Sequence, residues 1–367
     1  MTDAILPLES EIRRRIAAAG PMPVGEYMAL CLGDPEHGYY ITRDPLGARG
    51  DFITAPEVSQ MFGELIGLWM AAVWKKMDSP KSIRVIELGP GRGTLMKDAL
   101  RALQVMPGFR EAIELHLVEM SPALTARQQR TLGGLATPMF WHTAFTEVPE
   151  GPAIVVANEF FDALPVNQSV KTARGWHERC IGIDADGKFT FAIASDPIPH
   201  FEALLSPFLR AVPEGSVIEW RDDIIAMQLG RRLGTQGGAA LVIDYGHAMS
   251  EIGDTLQAVG GHAYADPLVS PGEIDLTAHV DFQALTRAIE AMGAKGFGPL
   301  EQAEFLRRLG IETRAATLKA RAAPEAAAAI DAALMRLTGT GRTGMGILFK
   351  AAAYAHPSLG VPPAFEN

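Results

Sequence analysis

Apolar residues crowd into short runs, each stopping at a polar or acidic position: Ile83-Arg84-Val85-Ile86-Glu87-Leu88, Ile113-Glu114-Leu115-His116-Leu117-Val118-Glu119, Ala153-Ile154-Val155-Val156-Ala157-Asn158 and Ala239-Ala240-Leu241-Val242-Ile243-Asp244. Runs this short, rich in β-branched residues, predict buried strands. Between them the spacing turns helical: from Thr94, read as a cap, through Leu100; after Ser121-Pro122; and from Arg221 to Leu233. Strand and helix in alternation predict a doubly wound parallel sheet, with a third strand ending near Trp141-His142-Thr143-Ala144-Phe145.

The flanks follow other rhythms. Residues 8–33 predict two helices split by Gly20-Pro21-Met22-Pro23, and Val58, Met61, Phe62, Leu65, Ile66, Leu68 and Trp69 form one broad apolar helix face. Arg43 to Asp51 reads as a mobile loop. Past residue 166, short strand patterns around the turn Asp184-Ala185-Asp186-Gly187 predict a β-rich insertion reaching about Glu219. Gly253 to Gly272 has no period and predicts a lid, a loop that orders on binding, or a plain surface excursion. Helices over 281–292 and 299–337, a last strand over 344–352 and a loose tail complete the chain. The expected organisation is an α/β protein: an N-terminal helical segment with a mobile loop (1–80) packed on a core (81–166 and 220–355), a β-rich inserted lobe (167–219) and a tail (356–367).

Composition narrows this. A chain of 367 residues that is 48% hydrophobic can bury a large core, as one decorated domain or a main domain with a smaller one. With 33 basic against 43 acidic residues and a net charge of −10, it is a poor partner for a nucleic acid backbone. Cys31 and Cys180 are its 2 cysteines, too few for a disulfide framework or a zinc site, so no metal and a reducing compartment are expected. No apolar stretch is long enough to span a bilayer and the first residues lack a signal-peptide pattern, which predicts a cytoplasmic protein without membrane insertion.

The densest chemistry follows the first strand. Glu87-Leu88-Gly89-Pro90-Gly91-Arg92-Gly93 places glycine at every second position between a strand and a helix, so the backbone can approach a ligand closely and the helix start offers unpaired N–H groups. The spacing departs from the Gly-x-Gly-x-x-Gly of dinucleotide sites. An acid at the strand tip suits the sulfonium and amino groups of S-adenosylmethionine better than a pyrophosphate, and the form resembles the first motif of seven-strand methyltransferases. Glu119, 26 residues past Gly93 at the end of the next strand, can accept both hydroxyls of a ribose. Phe145 or Trp141 can stack on an adenine or belong to the core.

The second cluster is Asn158-Glu159-Phe160-Phe161-Asp162-Ala163-Leu164-Pro165, at the edge of a parallel sheet where ligands bind. Methyltransferases acting on planar nitrogens often carry Asn-Pro-Pro-Tyr or Asn-Pro-Pro-Phe here; this chain keeps Asn158 and the aromatic Phe161. Glu159 and Asp162 beside an aromatic face suit a guanidinium, whose forked N–H groups take the acids while the ring packs on its plane. Asp162 as a plain helix cap is the alternative. Thr54, Glu57, Tyr245, His279, Asp281 and Phe161 are the candidate acceptor contacts, with helix capping the alternative for Thr54 and Asp281.

These segments, with His37-Gly38-Tyr39-Tyr40, Gly50-Asp51-Phe52-Ile53-Thr54-Ala55-Pro56-Glu57, Asp244-Tyr245-Gly246 and Asp275-Leu276-Thr277-Ala278-His279-Val280-Asp281-Phe282, closely resemble the MidA-like family over residues 8 to 353. That family includes the mitochondrial complex I assembly factor that methylates an arginine. The resemblance implies a Rossmann-like seven-strand class I methyltransferase sheet and S-adenosylmethionine as cofactor, held by Glu87, Gly89, Gly91, Gly93, Glu119, Phe145 and Asn158. It also implies a protein arginine acceptor such as a complex I subunit, with Glu159, Asp162 and Asn158 catalytic. Three other readings stay open: a nicotinamide-dependent dehydrogenase, a nucleic acid methyltransferase, and a non-catalytic assembly factor that keeps the cofactor as a structural ligand. No oligomeric state can be read from the sequence.

Overall fold

The computed structural model describes residues 6–42, 54–260, 263–341 and 343–366. The expected loop at 43–51 lies outside them. Among the described residues no helix is long and apolar enough to cross a membrane.

The apolar runs form the middle of an eight-stranded sheet: β2 (Ile83–Leu88), β3 (Ile113–Val118), β4 (Met139–His142), β5 (Ala153–Asn158), β10 (Gly238–His247), β14 (Val280–Asp281), β15 (Lys295–Glu301) and β16 (Phe349–Ala355). The order is β15-β16-β10-β5-β2-β3-β4, with β14 pairing the end of β10. β4, β3, β2, β5 and β10 are mutually parallel, and β16 runs against its neighbours. The central strands are apolar at most positions because both faces are covered. Val85, Ile154, Val156, Leu241 and Ile243 face the core under helix Gln60–Lys76, whereas Ile86, Val155, Ala157, Ala240 and Val242 face the core with helices Ile224–Gln236 and Phe282–Glu290. The chain leaves β2 for β3 and returns to β5 on the other side. The carboxyl ends of β2 and β5 therefore flank the crevice where such sheets bind ligands.

A second sheet, antiparallel, contains β1 (Met22–Pro23), β6 (Val166–Thr172), β7 (Gly175–Ile183), β8 (Phe189–Pro197) and β9 (Val217–Arg221) in the order β1-β7-β6-β9, with β8 on β7. A third small sheet holds β11 (Gln257–Gly260), β12 (Ala263–Ala265) and β13 (Asp275–Thr277).

Four expectations change. The segment 1–80 is not one unit: helices Pro7–Ala19 and Val24–Gly33 bury Leu8, Ile12, Tyr27 and Met28 with Val166, Ile181, Ala258 and Leu276 of the smaller sheets, while helix Gln60–Lys76 joins the main core. The stretch 253–272 carries two strands of the third sheet and is anchored by the Tyr27 hydroxyl, which donates to the Pro267 carbonyl (2.9 Å). Strands of three or four residues are too short to show a period. Residues 295–301 form β15 rather than a loop before helices; Gly296, Gly298 and Pro299 disguise it. The tail is docked, not loose: Phe365 is buried, and the indole N–H of Trp69 donates to the Pro363 carbonyl (3.0 Å) because a buried indole needs an acceptor.

Candidate active site

At the tip of β2 the three glycines adopt left-handed backbone, Gly89 at φ 62°, Gly91 at 53° and Gly93 at 79°. Gly93 is the N-cap of helix Thr94–Ala102, and the expected cap Thr94 instead donates its hydroxyl to Glu57 Oε1 (2.5 Å). A Cβ on Gly89 would stand 2.9 Å from Phe160 Cδ2, so the glycine turn and the turn after β5 touch. Glu87 is 3% exposed, and its Oε2 is buried without a hydrogen-bond partner. Burial, then the Glu119 charge, pushes its pKa up to about 8.

Glu119 follows β3 and accepts from Ser121 N (2.9 Å) and Gln128 Nε2 (3.1 Å), while burial lifts its pKa to about 7. Gln128 is fully buried: its Nε2 also donates to the Gly91 carbonyl (2.8 Å), and its Oε1 accepts from the Trp141 indole N–H (3.0 Å). One side chain thus joins the glycine turn, the second acid and the third strand. Trp141 is held by that bond, and Phe145 is buried in the core beside Val118 and Val148.

The turn after β5 is assembled from a distance. Glu159 takes φ 50°, a left-handed conformation that L-residues adopt only when their surroundings impose it. Its Oε1 accepts from Ala55 N (3.0 Å) and Asn158 Nδ2 (3.2 Å). Desolvation nonetheless raises its pKa to about 7, the Asp162 charge adding to the shift. Asp244, fully buried at the tip of β10, accepts through Oδ2 from the backbone N–H groups of Phe160 (3.2 Å), Phe161 (2.9 Å) and Asp162 (3.2 Å), and through Oδ1 from Tyr245 N (2.9 Å). Its pKa, like that of Asp162, is raised by burial above all. Asp162 is 5% exposed with Oδ1 unpartnered, and the Tyr245 hydroxyl faces its carboxylate. Beyond it lies Tyr40, whose hydroxyl donates to Asp275 Oδ2 (3.0 Å) and whose pKa is pushed up by burial and then by the Asp275 and Asp162 charges.

Among the described residues Arg336 carries a charge that acts on Glu159, and Arg221 one that acts on Asp162 and Asp244. The Arg221 guanidinium donates to the carbonyls of His279 (2.8 Å), Ala278 (2.7 Å), Leu164 (3.2 Å) and Asp162 (3.4 Å), stitching the loop after β5 to the one before β14. Glu159, Asp162 and Asp244 therefore form an acidic cluster beside Arg221, whose guanidinium is bonded to backbone.

Among the expected acceptor contacts, Tyr245 packs edge-on to His279 (5.6 Å between centroids) with its hydroxyl toward Asp162. Phe161 does not present a face: it is 3% exposed in the core, and Phe160 is the ring that meets the glycine turn, because the left-handed Glu159 reverses the strand's alternation. Asp281 accepts from Ala284 N (2.9 Å) as the cap of helix Phe282–Glu290. Thr54 stands at the N-cap of helix Ala55–Val58 without a side-chain cap bond, and Glu57 is engaged by Thr94. The sequence placed Asp244 with Tyr245 at the ligand edge of its strand, whereas Gln128, Asp275, Tyr40, Phe160 and Arg221 were not read from sequence as site residues. Asp244, an acid ending an apolar run, carried a usable signal; Arg221 and Gln128 carried none.

S-adenosylmethionine fits these groups by two features: an orphaned buried carboxylate oxygen on Glu87, which a cationic amino group would pair, and a left-handed glycine turn that leaves room for backbone contact. A family model described as "Putative S-adenosyl-L-methionine-dependent methyltransferase" matches residues 65–300. The mitochondrial protein arginine methyltransferase NDUFAF7 homolog of Drosophila melanogaster is 37% identical over 94% of this chain and 84% of its own. Mouse NDUFAF7, a mitochondrial protein arginine methyltransferase, is 37% identical over 85% of this chain and 76% of its own. A crystal structure of a Burkholderia thailandensis protein bound to S-adenosylhomocysteine superposes with a TM-score of 0.84 at 34% identity, covering 98% of this chain and 94% of that one.

Proposed function

This chain belongs to the family of S-adenosylmethionine-dependent methyltransferases that contains the NDUFAF7 proteins, and from that premise we propose that its acceptor is an arginine of a protein, a respiratory complex I subunit being the specific candidate. The observation that carries this reading is the group of buried acids at the tips of β5 and β10, Glu159, Asp162 and Asp244, each with a raised pKa. Carboxylates whose neighbouring guanidinium, Arg221, donates to backbone carbonyls instead of to them favour a ligand that brings its own positive charge, and a guanidinium brings it with a fork of donors. We read the strand order as the seven-strand methyltransferase sheet, with β14 and the small sheets as additions, and the lobe of β6 to β9 as the acceptor-recognition element. A complex I acceptor would place the enzyme in the cytoplasm, or in the matrix for relatives named mitochondrial.

The chain's own groups have separable tasks. Glu87 and the turn Gly89 to Gly93 hold the amino acid end of the cofactor, and Glu119, braced by Gln128, holds the ribose. When bound, the cofactor supplies an electrophilic methyl carbon. Arginine stays protonated at neutral pH and is a poor nucleophile. Glu159 and Asp162 hold the two nitrogens away from the reacting one, concentrating positive charge there and leaving the third richer in electrons. As that nitrogen gains a methyl group, the methylated guanidinium as a whole is left one proton over. Glu159, with its pKa raised to about 7, is poised to take that proton from the neighbouring nitrogen it holds.

Glu159→Gln tests this. Methyl transfer to an arginine peptide, read by mass spectrometry, should fall by about 100-fold or more, while calorimetric affinity for S-adenosylhomocysteine holds. A fully active variant would sink the reading. Comparing complex I subunits from cells with and without the protein, again by mass, tests the specific acceptor.

A further inference from the structure

The second sheet carries a cleft at the opposite end of β6 from the acidic turn after β5. A cavity of about 530 Å³ opens between the start of β7, the end of β8 and the short helices that follow. Its lining includes Trp176 and Phe201, 2% and 8% exposed, which pack on each other at 5.8 Å between centroids. The indole N–H of Trp176 is buried without an acceptor, an unusual position for a donor.

Exposed Arg174 and Arg210 also line the cavity. Arg174 donates to the Ser195 carbonyl (3.0 Å) and Arg210 to the carbonyls of Leu205 (2.8 Å) and Ala203 (3.1 Å). Neither has a carboxylate partner among the described residues. Lys171 Nζ lies 5.8 Å from the Trp176 ring centroid and 4.0 Å from Glu202, the acid of the lining. An aromatic floor, an orphan donor and guanidiniums without counter-charges stand out in a chain of net charge −10. The acids Glu159 and Asp162 lie beyond the other end of β6.

We propose that this cleft docks an acidic segment of the acceptor protein, with an apolar residue seated against Trp176 and Phe201 and a neighbouring carboxylate bridging Arg174 and Arg210. The inference rests on the protein-arginine reading for the identity of the partner. β6 joins the two places: from Val166, beside the catalytic turn, to Lys171 it covers five residues, or about 17 Å. The docked acid therefore lies at least about five extended residues from the methylated arginine. Opposite charges at the two ends would fix the direction in which the acceptor lies.

The probes are two fluorescein-labelled peptides, each with one arginine followed about eight residues later by Phe-Asp-Glu or by Phe-Asn-Gln. Anisotropy on the full chain saturated with S-adenosylhomocysteine should show the acidic peptide binding roughly fivefold tighter, the scale of one or two partly exposed charge pairs. Arg174→Gln with Arg210→Gln should abolish the difference. Arg174→Glu, which gives up a single carbonyl bond, should weaken the acidic peptide alone. Unchanged calorimetric binding of S-adenosylhomocysteine reports that each variant is folded. Equal binding of both peptides to the unmodified protein overturns the proposal. So does a preference that survives both variants, or an RNA oligomer that binds through these arginines more tightly than the acidic peptide. A binding difference without methyl transfer to either peptide counts against the arginine reading and supports the cleft.

Discussion

The two ends of the crevice solve one problem differently. Both bury acids and both raise their pKa, Glu87 to about 8 and Glu119 to about 7 at what we propose is the cofactor end, Glu159 to about 7 at the proposed acceptor end. At the cofactor end the acids sit on or just after strands β2 and β3, and much of their support is local, as with Ser121 N on Glu119. The acceptor end is built from far along the chain: Ala55 N holds Glu159, Asp244 holds the N–H groups of 160–162, and Arg221 holds the carbonyls of Asp162 and Leu164. A locally built site is robust and readable, whereas one assembled by distant residues can be broken from any of them.

The largest effect should come from removing that distant support. Asp244→Ala leaves four buried N–H groups without their acceptor. The penalty should be about 2–3 kcal/mol in urea unfolding, and the left-handed turn at Glu159 should relax. Methyl transfer should drop by about 100-fold or more, well beyond the loss in affinity for S-adenosylhomocysteine. If both fall together, the two ends are one unit and the contrast fails. At the cofactor end, Gly89→Ala adds a Cβ 2.9 Å from Phe160 at a φ of 62°. Strain of about 1–2 kcal/mol should cost roughly tenfold in S-adenosylhomocysteine affinity measured by calorimetry.

The ionisation of these acids sharpens the contrast. Folded pKa values of about 7 to 8 lie above the ordinary 4.5 of a glutamic acid. The folded protein thus holds protons that the unfolded chain has released. The stability these groups contribute is fully present below pH 4.5 and is lost as pH rises through 7 and 8. A cationic ligand favours the carboxylate forms, so S-adenosylmethionine should raise the melting temperature more at pH 8 than at pH 5, by about 3 °C or more. Glu87→Gln should shrink that gain. A gain insensitive to pH would mean that these acids are already ionised in the free protein.

How much could be read in advance follows the same division. β2, β3, β5 and β10 declare themselves because strands buried on both faces are apolar at nearly every position, and the glycine turn shows because no other residue suits three left-handed positions in five. The α/β class followed from those elements. β11 to β13 were too short to show a period, and β15 was masked by its glycines and proline. Phe161 was chosen as the counterpart of the aromatic in Asn-Pro-Pro-Phe, whereas the structure packs it in the core and turns Phe160 to the glycine turn, across a left-handed Glu159 that nothing in the sequence marks. Arg221 and Gln128 act through bonds to residues 57 to 59 and 37 positions away, a separation that leaves no local trace.

Gln128 gives the smallest and most discriminating change. Its amide nitrogen serves the Gly91 carbonyl and Glu119, and its oxygen serves the Trp141 indole. Methionine has similar length and can fill the space, but it donates nothing, so Gln128→Met leaves Glu119 with the backbone bond from Ser121 and frees the glycine turn from its brace. Each lost bond is worth about 1 kcal/mol, part of which solvent recovers, so S-adenosylhomocysteine affinity should fall by roughly three- to tenfold. The acceptor end shares none of these bonds. Turnover at saturating cofactor and the KM for an arginine peptide should therefore match the unmodified enzyme. A raised acceptor KM would show that the two ends are coupled, through the Gly89 and Phe160 contact or through the short helix Ala55–Val58 that bonds both Thr94 and Glu159.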